Sequence, residues 1–248
     1  MTRPRVLVVR SGMNPFASAG ESVKVEIVEK VSHAIESVEP LENAFDGPFN
    51  LVVFTSQIAV ERAAADARRL AALQRATANG SVAAVGDATA EALGRHGIWV
   101  QLTARGSAES VLDLLPRQLA GWRVLLPCGE DASEDLPEGL RYRGAHVTRT
   151  VLYRKVERPH DESLPEEVLE HPFAAFCATS PSAARWLFDG LPEPAAEKLR
   201  RTPAVVLGRF TRRFLDSHGV ERIEMTEEQR FAAAVKLLER LATVSAGA

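Results

Sequence analysis

The side chains best suited to chemistry in this sequence are hydroxyls and arginines that follow short apolar runs within a few residues. They are Arg10, Ser56, Thr89, Ser180, Arg209 and Thr211. Because the carboxyl ends of parallel strands meet at one edge of a sheet, such residues would collect there beside helix N-termini. Hydroxyls, backbone N–H groups and helix dipoles suit an anionic ligand held by many weak contacts. The alternative is that each Ser or Thr only caps a helix.

Tyr153 is a second kind of candidate, because it is one of only two tyrosines and lies in an extended stretch beside Arg154 and Lys155. A phenol at this position could donate a proton or a hydrogen bond to a ligand, and the two cations would favour an acidic one. The alternative is a tyrosine that packs against the chain and leaves its hydroxyl in water.

The compact motifs of nucleophilic, metal-dependent and nucleotide-binding enzymes do not occur in this sequence. His96 and His218 each precede a glycine and are expected to end helices, where the helix dipole favours them. The cluster of Arg209, Arg212 and Arg213 is either a solvated basic face or a carboxylate-binding edge. For Arg209 alone, which directly follows a predicted strand, we favour the second interpretation.

Composition indicates a globular protein with enough apolar residues for a core. The 248 residues are 46% hydrophobic and 25% charged, with a net charge of −3, so we expect two domains and neither a nucleic-acid partner nor a membrane partner. The apolar run near the N-terminus is too short for a signal peptide, which predicts a cytoplasmic protein. The two cysteines, Cys128 and Cys177, show no paired spacing and are expected to be free thiols without a metal.

Short apolar runs that alternate with helical patterns predict an α/β fold with parallel sheets. The runs include RVLVV, LVVF, VAAV, RVLL, FAAFCA and AVVL. Helices are expected after Ser56, around Asp87 and Thr89, and over residues 107–119 and 227–241. Within residues 13–38 the pattern is ambiguous, and we expect a strand that ends near Val38.

The sequence also contains an internal duplication. LVVFTSQIAVERA returns as AAFCATSPSAARWL, and VAAVGDATAEALGRHGIWV returns as AVVLGRFTRRFLDSHGVERI after nearly the same interval. The first copy continues into RVLL, whose counterpart is the RVLVV at the start of the chain. One copy is therefore wrapped around the other.

This order predicts two lobes with two crossings between them. Lobe 1 comprises residues 1–36 and 160–248, and lobe 2 comprises residues 41–150. Residues 37–40 and 151–159 would form a two-stranded extended linker. The repeated strand ends of both lobes would then line one shared cleft.

The ordered set of motifs resembles the uroporphyrinogen-III synthase family. The matching segments are VFTSQIAV, AVGDATAEAL, GSAESVLDLL, RVLLPCGEDASEDL, VLYRK, CATSPSAARWLF and VVLGRFTRRFLDSHGV. They cover nearly the whole chain from about residue 49 onward. No single motif is specific, and the order of the set carries the resemblance.

The resemblance implies two flavodoxin-like lobes and a reaction without cofactor or metal in tetrapyrrole biosynthesis, the route to heme, siroheme and cobalamin. The reaction is closure of linear hydroxymethylbilane, with loss of water and inversion of ring D. The family's functional tyrosine matches Tyr153, and its substrate-binding strand ends match Ser56, Thr89, Ser180 and Thr211. Arg10 is shared with the family, and Arg209 would replace a cation that the family often has at Ile58.

We therefore expect a monomeric lyase that takes hydroxymethylbilane, with transient contact to hydroxymethylbilane synthase. The alternative is a non-catalytic ligand-binding or sensing module of the same two-lobed fold, which the unusual segment GMNPFASAG after the first strand would favour.

Overall fold

The structure, a computed structural model, describes residues 3–12, 24–105, 107–228 and 231–245. The strands are β1 (Arg5–Ser11), β2 (Glu26–Ser37), β3 (Leu51–Phe54), β4 (Ser81–Val85), β5 (Leu102–Ala104), β6 (Arg123–Gly129), β7 (His146–Glu157), β8 (Ala175–Ala178), β9 (Ala204–Val206) and β10 (Ile223–Met225). The α-helices are α1 (Gln57–Ala63), α2 (Ala67–Thr77), α3 (Asp87–Arg95), α4 (Asp135–Tyr142), α5 (Leu164–Glu170), α6 (Pro181–Asp189), α7 (Glu193–Arg200), α8 (Arg209–Ser217) and α9 (Phe231–Ser245). A 3-10 helix spans Ala108–Leu114.

The chain divides into two compact units. Unit 1 comprises Met1–Ile35 and Val156–Ala248, and unit 2 comprises Glu36–Lys155. The first crossing thus lies just before the predicted linker of residues 37–40, and the second lies within the predicted linker of residues 151–159. Both crossings occur inside long strands, β2 and β7, rather than in separate linker segments.

Each unit contains a parallel sheet whose strand order reverses at one point. In unit 1 the order is β10-β9-β8-β1-β2, and in unit 2 it is β7-β6-β3-β4-β5. The chain runs outward from β3 through β4 to β5 and then returns to add β6 and β7 on the other side. The reversal in unit 2 therefore falls between β3 and β6, where α/β folds place ligands.

The central strands are apolar on both faces because helices cover both faces. In β1, Leu7 and Val9 pack into the cluster that includes α6, whereas Val6 and Val8 pack into the cluster that includes α9. All four side chains are fully buried. The unbroken apolar runs of the sequence follow from this two-sided burial.

Local capping explains where the first helix of each copy begins. Ser56 is the N-cap of α1 and accepts a hydrogen bond from the Ala59 N–H at 3.1 Å. Ser180 is the N-cap of α6 and accepts one from the Ala183 N–H at 3.2 Å. At the C-terminal ends of α3 and α8, the predicted helix-ending histidines, His96 and His218, are confirmed as C-caps.

Two predicted helices are wrong in extent. Residues 107–119 form only the 3-10 helix Ala108–Leu114, because Leu115 precedes Pro116 and is extended, with φ −109° and ψ 154°. Leu114, an apolar residue of this segment, is 45% exposed. The last helix is Phe231–Ser245 rather than residues 227–241, because residues 227 and 228 form a bend before it.

The ambiguous segment of residues 13–38 is partly settled by the structure. The predicted strand near Val38 is confirmed as β2, which ends at Ser37. Residues 13–23 lie outside the described residues.

Candidate functional site

The structure brings two of the predicted site residues together in unit 2. The hydroxyls of Tyr153 on β7 and Ser56 after β3 are 3.1 Å apart. The Tyr153 side chain reaches from β7 across β6 to the end of β3, and it is 5% exposed. It therefore ends at the strand-order reversal between β3 and β6. The Tyr153 hydroxyl thus contacts Ser56, and the alternative in which this hydroxyl is left in water does not apply.

Burial raises the pKa of Tyr153 above its ordinary value of 10.0, since loss of solvent disfavours the phenolate. The hydrogen bond from Ser56 and the charge of Lys155 oppose this rise, and the charge of Asp131 adds to it. The net effect is a phenol that keeps its proton at neutral pH.

The two cations that flank Tyr153 are both paired with carboxylates, which the sequence did not reveal. Arg154 donates two hydrogen bonds to one Glu36 carboxylate oxygen, at 2.8 and 2.9 Å. Lys155 donates one to Asp131 at 2.8 Å. Each charge is thus already balanced by a carboxylate within unit 2, and the expectation that these cations attract an acidic ligand stays a prediction.

Thr89 and Thr211 occupy equivalent places in the two units. Each is the third residue of a helix that follows a glycine N-cap, Gly86 in unit 2 and Gly208 in unit 1. Both threonines are buried, at 4% and 3% exposed. Neither threonine is therefore exposed on the surface of its unit.

The two predicted arginines of unit 1 differ in their surroundings. Arg10 is 6% exposed and donates to the Glu29 carboxylate and to the Gly12 carbonyl. Arg209 is exposed, and its guanidinium lies over the Phe210 ring at 4.8 Å. Among the described residues no carboxylate forms an ion pair with Arg209. Arg209 is therefore the better placed of the two to bind an anion.

A pocket of about 250 Å³ opens beside the same reversal in unit 2, and sequence reasoning missed it. Its polar lining includes Thr55, Cys128, Ser133 and Arg149. The Arg149 guanidinium pairs with Glu134 and donates to the Ala132 carbonyl at 3.2 Å. The signal in the sequence was a cation inside the apolar strand HVTRTVLY.

The predicted free thiols are present. Cys128 and Cys177 are unpaired and buried, and burial raises the pKa of Cys177 to about 12. Across residues 3–12, 24–105, 107–228 and 231–245, no group of three or more His, Cys, Asp and Glu side chains could hold a metal ion. No helix in these ranges is both long and apolar enough to cross a membrane.

The protein has two units with parallel sheets, and one of these units is assembled from both ends of the chain. These features place it in a class of duplicated α/β proteins with polar groups at their strand ends. The family model for uroporphyrinogen-III synthase HemD matches residues 22–236. The putative uroporphyrinogen-III synthase of Methanothermobacter thermautotrophicus is 33% identical over 184 residues, which are 71% of this chain and 72% of the relative. The chain belongs to the uroporphyrinogen-III synthase family.

Solved structures show the same fold. A mutant uroporphyrinogen-III synthase of Thermus thermophilus aligns with a TM-score of 0.67 at 22% identity, over 97% of this chain and 99% of that one. The enzyme of Helicobacter pylori aligns with a TM-score of 0.61 at 17% identity, over 97% of this chain and 100% of that one. These matches extend the likeness to 97% of this chain, at the level of the fold.

Proposed function

We propose that this protein is a uroporphyrinogen-III synthase, which closes linear hydroxymethylbilane to uroporphyrinogen III with loss of water and inversion of ring D. Membership of the family over residues 22–236 is the observation that carries this proposal. The hydrogen-bonded pair of Ser56 and the buried Tyr153 supplies a group suited to the chemistry. The reaction needs proton transfer and positioning, and we propose that it proceeds without a cofactor.

The phenol of Tyr153 is the proposed proton donor. The departing hydroxyl of the bilane takes the phenolic proton and leaves as water, and the electrons of ring D form a carbon–carbon bond at its substituted α-carbon, which gives the spiro intermediate. The older bond from that carbon to its methylene bridge then breaks, and the bridge re-forms at the free α-carbon of ring D. That carbon loses a proton, which restores the phenol. Because burial raises the pKa of Tyr153, the donor is protonated before each turnover.

Ser56 is suited to support this donor. Its Oγ accepts the Ala59 N–H at 3.1 Å, so its own proton is available for the Tyr153 oxygen at 3.1 Å. In that arrangement the phenolic proton points away from Ser56 and is free for the substrate. The same hydrogen bond stabilises the phenolate that remains after transfer.

Selection of the inverted product is the main task of the protein. Hydroxymethylbilane closes unaided to the non-inverted isomer, so the protein must hold a folded conformer from which closure through a spiro intermediate is faster. The substrate is a polycarboxylate. Helix N-termini at Ser56, Ser180, Thr89 and Thr211, together with the exposed cation Arg209, are the proposed anchors for its carboxylates.

The test is to supply freshly prepared hydroxymethylbilane and to separate the product isomers. We expect isomer III from the wild-type protein. If only isomer I forms, at the spontaneous rate, the enzyme proposal is refuted and the alternative of a ligand-binding module of the same fold takes its place.

The role of Tyr153 is tested by Tyr153→Phe, which keeps the ring but removes the proton. We expect turnover to fall on the order of 10²-fold, the lower end of what general acid catalysis contributes. Tyr142→Phe is the matched control, because Tyr142 is the other tyrosine and is 94% exposed. Unchanged kinetics in Tyr153→Phe would remove the phenol from the mechanism.

A further inference from the structure

The position of the Tyr153 ring depends on the absence of a side chain at Gly129. A Cβ atom built on Gly129 would lie 2.7 Å from Cζ and 2.8 Å from Cε2 of Tyr153, closer than real Cβ contacts. Gly129 does not have a positive φ. This glycine is therefore needed for space and not for backbone conformation.

A bulge brings the two residues into register. The pairing of β6 with β7 shifts between Cys128 and Gly129, so that Gly129 lies opposite Tyr153. The Tyr153 carbonyl also accepts the N–H of Glu130 at 2.9 Å, which fixes the backbone on both sides of the contact. With the backbone fixed, an added Cβ would have to move the ring.

Unit 1 contains the same bulge with different residues. The pairing of β1 with β2 shifts between Arg10 and Ser11, so that Ser11 lies opposite His33. Ser11 and His33 thus stand where unit 2 has Gly129 and Tyr153. In unit 1 this position carries a side chain, and the His33 ring lies with Nδ1 at 2.9 Å from Oγ of Ser32, its own neighbour on β2. The bulge alone therefore does not direct a ring across the sheet.

We propose that Gly129 is a positioning residue, which holds the phenol of Tyr153 at Ser56 so that its proton meets the substrate. This inference rests on the proposed role of Tyr153 in the cyclisation. In Gly129→Ala, the ring must move about 0.7 Å for the nearest contact to grow from 2.7 Å to the 3.4 Å of ordinary packing. A displacement on the order of 1 Å can cost about 10²-fold in rate.

The experiment compares Gly129→Ala with Gly139→Ala. A Cβ on Gly139 would lie 2.4 Å from Cδ1 of Leu112, so this control also introduces a clash within unit 2 but leaves Tyr153 alone. For Gly129→Ala we expect kcat to fall between about 10-fold and 100-fold, a smaller change in KM, and a lower fraction of isomer III. For Gly139→Ala we expect kcat and the isomer fraction to stay near wild type.

Two further measurements separate positioning from general damage. In the Tyr153→Phe background, Gly129→Ala should cause no further loss of kcat, because the proton donor is already absent. In the Tyr142→Phe background Tyr153 is the sole tyrosine, and the ultraviolet absorbance of its phenolate reports its pKa. Gly129→Ala should bring that pKa back toward its ordinary value as the ring leaves its buried position.

The outcomes distinguish the two proposals. A wild-type protein that forms only isomer I refutes the proposed function. An active wild type in which Gly129→Ala matches Gly139→Ala, or leaves the phenolate titration unchanged, refutes the role of Gly129. If Gly129→Ala does not fold, adding Tyr153→Ala must restore folding, because it removes the clashing ring. If folding is not restored, Gly129 is needed for the backbone conformation and not for the space of the Tyr153 ring, which would overturn the inference.

Discussion

The Ser56→Ala substitution tests the contact on which the proposed site depends. Ser56 has two roles in unit 2: its Oγ caps α1 through the Ala59 N–H and lies 3.1 Å from the Tyr153 hydroxyl. Loss of a serine cap costs about 1 kcal/mol. Loss of the second hydrogen bond, made by a buried phenol, costs about 1 kcal/mol more. We therefore expect Ser56→Ala to lower the free energy of unfolding by about 2 kcal/mol.

The duplicated fold supplies a matched control for the cap. Ser180 caps α6 in the same way, through the Ala183 N–H at 3.2 Å. It also contacts the Ser182 hydroxyl at 3.0 Å, a partly exposed neighbour whose place water can take. Ser180→Ala should therefore cost only about 1 kcal/mol, the value of the cap alone.

A double-mutant cycle then isolates the contact between the two hydroxyls. In the Tyr153→Phe background, Ser56→Ala should cost about 1 kcal/mol rather than about 2 kcal/mol, which gives a coupling of about 1 kcal/mol. Urea denaturation of the four proteins, with equal slopes, measures the free energies. A coupling below about 0.3 kcal/mol would show that the two hydroxyls form no hydrogen bond in solution, and the proposed support of the phenol by Ser56 would be refuted.

Two further predictions concern charges in unit 1. Lys30 donates to Asp161 at 2.7 Å, and this hydrogen bond lowers the pKa of Asp161 from 3.8 to about 2. The ionised form is stabilised in the folded state, so this contribution is present at neutral pH and is lost as pH falls from about 4 to about 2. Asp161→Asn should cost about 1 kcal/mol at neutral pH, after allowance for partial exposure, and little once the pH is below about 2. A cost that is independent of pH would refute the ion pair. Arg209→Ala should weaken binding of the polycarboxylate product in a salt-dependent way, and Arg212→Ala, which loses a cation paired with Asp216 at 3.8 Å, should weaken it less; equal or salt-independent effects would assign Arg209 to the solvated surface.

The parts of the fold that the sequence predicts are those that depend on near neighbours. Ser56 and Ser180 are recognisable as caps because the groups they bind are three residues away. The apolar runs predict buried strands because each run is uniform over its own length. The end of the helix before Leu115 was also predictable from the sequence, since Pro116 disfavours the longer helix that the apolar spacing favours.

The site itself depends on contacts between distant parts of the chain. Ser56 and Tyr153 are 97 residues apart, and Glu36 and Arg154 are 118 apart. Sequence position suggested that the cations beside Tyr153 are available, yet Glu36 approaches Arg154 because both lie on the long strands that carry the chain between units. The hydrophobic periodicity of the sequence does not predict an ion pair between residues so far apart. Nor does it reveal the bulge at Gly129, which depends on register.

The two copies also show which recurrences bear on function. Ser56 and Ser180 recur, and the caps they form are sufficient to explain why both copies have them. At the bulge the copies differ, with Gly129 and Tyr153 in one and Ser11 and His33 in the other. Folding of the bulge does not require the glycine, since unit 1 forms the same bulge with a serine. Gly129 and Tyr153 differ from their counterparts in unit 1 although the bulge is the same, so they are better indicators of chemistry than the two serines that recur. This difference favours a proton donor in unit 2 alone.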